Sequence, residues 1–155
     1  MSQQTFPLQD LHATLRGVSK DVHDGYGFKV VRGVPIHKYS REENIIIYAG
    51  LAAHVASTRG RQDHQFNGKP ADVVLAHIKD LSREFDAQSI GSPAYTTEKQ
   101  VFHTDSGDII ALFALSAAEE GGESYLSSSW TVYNELAATR PDLIRTLAEP
   151  WDVDE

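Results

Sequence analysis

Val101-Phe102-His103-Thr104-Asp105-Ser106-Gly107-Asp108, running on into Ile109-Ile110-Ala111-Leu112-Phe113-Ala114-Leu115, is the stretch on which the reading of this chain turns. In an extended backbone, alternate side chains leave the same face, so His103 and Asp105 point one way and Phe102 and Thr104 the other. Their Cα atoms would lie roughly 6.6 Å apart, which lets one imidazole and one carboxylate reach a single metal ion. That pair is two-thirds of the 2-His-1-carboxylate set that leaves open positions on non-haem Fe(II). Spacing alone is weak. Seven His and twelve Asp in 155 residues make about half of one His-x-Asp match expected by chance.

The surroundings add weight. Gly107-Asp108 is a turn signal, and the seven apolar residues after it fit a strand buried on both faces. Glu119-Glu120-Gly121-Gly122 punctuates again, and Glu123 to Ser127 reads as a return strand. A polar metal-binding edge that feeds a buried hairpin is how the mouth of a small β-barrel is built.

In the order His103-Thr104-Asp105, buried strand, Gly121-Gly122-Glu123-Ser124 and a helix with Trp130, Tyr133 and Leu136, the chain resembles the TauD/TfdA-type Fe(II)- and 2-oxoglutarate-dependent dioxygenases, particularly their fungal members. The resemblance spans roughly residues 25 to 150 and is specific from Val101 to Leu136. It implies a mainly β fold with flanking helices, part of a double-stranded β-helix (a jelly roll of the clavaminate-synthase-like kind) lacking its carboxy-terminal half. It implies His103 and Asp105 as iron ligands and Ser124 as the hydroxyl that meets the 2-oxoglutarate carboxylate. The reaction implied consumes O₂, converts 2-oxoglutarate to succinate, and hydroxylates or desaturates a small organic substrate. Asp105 argues against halogenation, because halogenating relatives keep that position small for chloride. Sulfonates like taurine, aryloxy acids and secondary metabolites all fall within the family's substrate range.

The family also uses a second histidine far downstream and an arginine that pairs with the distal carboxylate of 2-oxoglutarate. No His follows His103, and the only later arginines are Arg140 and Arg145, in a helical region. The chain therefore reads as an amino-terminal portion of such an enzyme, in which two ligands and a serine could hold iron weakly with water in the remaining positions. His64 and His77, which precede the motif unlike the family's second histidine, read as surface or satisfied histidines more than as a substitute third ligand. Two rivals stand beside that reading. One is a non-catalytic module whose exposed strand edges are covered by self-association or a partner. The other is a bicupin-like metal-binding protein that makes no use of 2-oxoglutarate.

Length fits one domain, 1–155, divided into a helical entry with a first strand (1–58), a loop-rich pocket cover (59–100), and the metal strand, hairpin and helices (101–155). A chain of this size is expected to bury about two-thirds of its unfolded surface. The net charge of −8 repels a phosphate backbone, so no nucleic-acid partner is expected. There is no Cys, which removes disulfides and thiolate chemistry. No signal peptide or membrane span is evident, so a cytoplasmic protein is expected.

Leu8, Leu11, Leu15, Val18 and Val22 predict an amphipathic helix over 8–23, ended by Gly25 and Gly27. Phe28 to Val31 has strand composition. Ser40 with Glu43 is a capping box, and it predicts a helix to about Ser57 despite three consecutive isoleucines. Thr58 to Lys69, with Arg59, Arg61, Asp63, His64 and Gly68, reads as a loop in which the arginine pair could meet an acidic substrate. Asp72 to Ile78 reads as a strand. Ser128 or Ser129 can cap a helix to about Ala138 with Trp130 and Tyr133 in the core, and Pro141 can start another. The acidic end, Trp151 to Glu155, carries no structural signal.

Overall fold

The computed structural model describes residues 1–66, 69–86 and 88–151, without the side chain of Phe66. Gly68 and the acidic residues 152–155 therefore lie outside the described residues. In chain order the elements are α1 (Gln9–Asp24), a 3₁₀ turn (Ile36–Lys38), α2 (Arg41–Val55), β1 (Asp63–Phe66), β2 (Lys69–Val73), a second 3₁₀ turn (Pro93–Tyr95), α3 (Ser129–Thr139) and α4 (Pro141–Leu147). They fall into two compact units, one of residues 1–55 with 123–155 and the other of residues 56–122.

The first unit is built on α1 against α2. Leu15 is the buried member of the predicted apolar stripe, whereas Leu11 is 48% exposed. It belongs to a small core with Ala49 and Ala53. Gly25 ends α1, its N–H donating to Asp21 O at 3.0 Å. A Cβ there would lie 2.5 Å from that same oxygen, so the end of the helix is fixed by steric room.

The capping box forms as predicted. Glu43 N–H donates to Ser40 Oγ at 3.2 Å, and Ser40 N–H donates to Glu43 Oε2 at 2.7 Å. Asn44, buried one residue on, donates from Nδ2 to the carbonyls of Ile36, Tyr39 and Ser40, which pins the 3₁₀ turn onto α2. At the other end of α2, Arg16 donates to the carbonyls of His54 and Val55, placing a cation where the helix dipole is negative. Ser40→Ala removes one N-terminal acceptor and is expected to cost about 1 kcal/mol, read as a lower urea midpoint with unchanged m.

Gly50 carries the chain's first residues. The Phe6 ring rests directly on its Cα, where a Cβ would overlap Cδ1, Cε1 and Cγ of that ring. Phe6 O accepts from His54 Nε2 at 2.8 Å, and Gln3 Nε2 donates to Ala53 O at 3.2 Å. Alanine ordinarily stabilises a helix interior by about 1 kcal/mol over glycine. Here Gly50→Ala is expected to lower stability by about 1–2 kcal/mol instead, because displacing Phe6 loses its packing and loosens its hydrogen bond. A rise in thermal midpoint would refute that placement.

Several expected strands are not strands. Residues 28–31, 74–78, 101–105, 109–115 and 123–127 carry no ladder, and among the described residues the only sheet is the antiparallel pair β1 and β2. The run predicted to be buried on both faces is open: Leu112 is 71% exposed and Ile110 48%. Phe28, Val30 and Val31 are exposed too. The physical reason is that strand propensity reports fit to a pleated neighbour, and none of these runs finds such a neighbour. The pair that does form is local, with Asp63 opposite Val73, Gln65 opposite Pro70, Phe66 opposite Lys69, and an irregularity between Asp63 and Gln65. β1 and Lys69 lie inside the stretch read as loop (58–69), while β2 ends on Asp72-Val73, the first two residues of the expected 72–78 strand. Asn67-Gly68, between the two strands, is the strongest short hairpin signal in the chain and was the missed clue.

Trp130 and Tyr133 are not core residues. They are 65% and 50% exposed and meet edge to face at 6.4 Å on α3. Ser128 is the N-cap residue of that helix, although its hydroxyl makes no capping bond. On α4 the Arg140 guanidinium grips Asp142 through two hydrogen bonds and holds its carboxyl below the usual carboxylate range. No helix among the described residues is long and apolar enough to cross a membrane.

Candidate metal centre

Within the second unit, His103 and Asp105 do converge, though on irregular backbone in place of the expected strand. His103 Nδ1 lies 2.7 Å from Val101 O. A carbonyl only accepts, so Nδ1 carries the proton and Nε2 of the neutral ring presents its lone pair. That free nitrogen lies 3.9 Å from Asp105 Oδ1, and the two side chains are 53% and 57% exposed. The carbonyl two residues upstream thus leaves Nε2 as the ring nitrogen able to ligate, one of the two through which imidazoles bind metals.

Two donors of one ion at about 2.1 Å each stand at most about 4.2 Å apart, so 3.9 Å is within reach of a single cation. A right-angled arrangement would need them about 3.0 Å apart, a movement open to exposed side chains. The donor set therefore fits a divalent iron-type cation. Among the described residues no group of three His, Cys, Asp or Glu side chains is placed to hold a metal, so neither His64 nor His77 completes the set. His64 is on exposed β1, its Nδ1 3.7 Å from Asp63 Oδ1.

Ser124 belongs to the first unit and is exposed, following Gly121 and Gly122, whose φ values are 70° and 76°. Two successive left-handed residues make a reversal that side chains with a Cβ resist. Arg61, read chiefly as part of a solvated loop that could also meet an acidic substrate, is exposed and pairs with Asp72 at 2.7 Å. Both line a shallow pocket of about 440 Å³ on the hairpin, with His64, Pro70 and Ala71.

Over residues 1–155 the chain matches the family described as "Taurine catabolism dioxygenase TauD, TfdA family". It is 40% identical over 157 residues to the taurine hydroxylase-like protein SAT17 of Stachybotrys chartarum, covering 97% of this chain and 39% of that protein. It is 24% identical over 145 residues to the FR-33289 synthase of Streptomyces rubellomurinus, covering 93% of this chain and 40% of that protein. The chain thus spans about two-fifths of the length of these curated relatives. No solved structure matches.

Proposed function

The chain belongs to the TauD/TfdA dioxygenase family, and from that premise we infer that it carries the His-x-Asp half of a non-haem iron site in an Fe(II)- and 2-oxoglutarate-dependent oxygenation. The observation that carries this reading is the His103 imidazole, held by Val101 O in the Nε2-ligating tautomer with Asp105 beside it. His103 and Asp105 would hold the iron, and Ser124 would donate its hydroxyl to the co-substrate carboxylate. Bound iron would supply the O₂ chemistry, in which 2-oxoglutarate is oxidatively decarboxylated to succinate and CO₂ as a small organic substrate is hydroxylated, or desaturated with release of water. The chain's own part is to present one neutral imidazole and one carboxylate with open positions left for co-substrate. A cytoplasmic setting and a small-molecule substrate belong to the same proposal, and the net charge of −8 disfavours a nucleic-acid partner.

Anaerobic addition of Fe(II) and 2-oxoglutarate to the full chain tests this. A weak visible charge-transfer band at one iron per chain is the expected result, and its absence at saturating Fe(II) overturns the reading.

The breadth of exposed apolar surface supports a second reading. Val101, Phe102 and Leu112 of the second unit are each more than 70% exposed, apolar side chains that self-association would cover. A non-catalytic module that covers this surface by self-association would sediment as a dimer or larger species and give no band.

A further inference from the structure

Among the described residues His54 is the largest fully buried side chain, 2% exposed, in the last turn of α2. Its Nε2 lies 2.8 Å from Phe6 O, and its Nδ1 lies 3.0 Å from Nδ1 of His12 on α1. The carbonyl can only accept, so the His54 proton is on Nε2 and its Nδ1 carries a lone pair. His12, an exposed residue, therefore donates its Nδ1–H to His54. Two imidazole nitrogens share one proton, one ring locked by a backbone carbonyl and the other open to solvent.

We propose that this pair is a cation site in its own right, in which a divalent first-row transition ion with right-angled ligand preferences, of the Cu²⁺ kind, binds the two Nδ1 atoms. Nitrogens of adjacent ligands at about 2.1 Å from one ion stand about 3.0 Å apart when the angle between them is a right angle. That is the separation already present; the exposed His12 ring has to turn about its own side-chain bonds to bring its Nδ1 lone pair onto the ion, while the backbone of the helix pair stays in place. The Phe6 carbonyl plays the part outer partners play at histidine metal sites, fixing ring orientation and tautomer. On binding, the proton between the rings passes through solvent to Nε2 of His12, so both rings stay neutral and water fills the remaining positions. This site is independent of His103 and Asp105.

The test uses the full chain carrying His103→Ala and Asp105→Ala, so that the other candidate centre is silent. With one equivalent of Cu²⁺, pulsed electron paramagnetic resonance is expected to show two coordinated imidazoles. Adding His12→Ala is expected to leave one imidazole and weaken binding about tenfold or more. Two imidazoles that persist in that variant, or fewer than two before it, would overturn the proposal. The exposure of His12 makes the substitution structurally mild, and the imidazole count in its presence does not depend on any variant at this site.

Discussion

His103→Ala and Asp105→Ala are each expected to abolish the Fe(II)–2-oxoglutarate absorption and to weaken Fe(II) binding at least about tenfold. Each removes one of two donors, and losing even an outer partner of a metal ligand costs about 10–100-fold. Neither change should disturb folding, because both side chains are more than half exposed and bond only locally. Circular dichroism and the urea midpoint should match the parent, which separates loss of the ion from loss of the protein. His103→Gln discriminates further: it keeps a polar side chain and loses the imidazole, so retained iron binding would show that ligation is not through Nε2.

The second large effect is on stability. His54→Ala is expected to destabilise the first unit by about 3 kcal/mol, combining a large-to-small cavity with two lost hydrogen bonds. The change leaves Phe6 O without its donor and His12 without its acceptor, and it opens space between α1 and α2 where Leu15 and Ala53 pack. Ser40→Ala, by contrast, touches one exposed cap. A urea titration that gives the two variants equal midpoints would sink the account of His54 as the centre of the helix pair.

The helices were legible from the sequence because their determinants are local. The Ser40 and Glu43 pair, the stripe through Leu15, Gly25 after α1 and Pro141 at the start of α4 each act within a few residues, and each places a helix end or face to within one or two positions. Ile45-Ile46-Ile47 stays helical because α2 is held at both ends, by Asn44 and by Arg16. Strands depend on distant partners, so apolar composition over residues 109–115 could signal a strand without supplying the neighbour to form one. The exception needs no distant partner: β1 and β2 fold on each other across two residues. At the candidate centre, the convergence of His103 and Asp105 was readable from their spacing. The means was not, since a histidine clipped to the carbonyl two residues before it replaces the alternation of a pleated strand. The His12 and His54 pair is 42 residues apart, and nothing in the intervening sequence announces it.

The seating of Phe6 on Gly50 has a practical corollary for handling this chain. Because the opening segment wedges between a glycine and a histidine of α2, its first six residues cannot be trimmed or burdened as if they were spare. Limited digestion that nips the peptide before Pro7 would deprive the buried imidazole of its anchor and let the two long helices part.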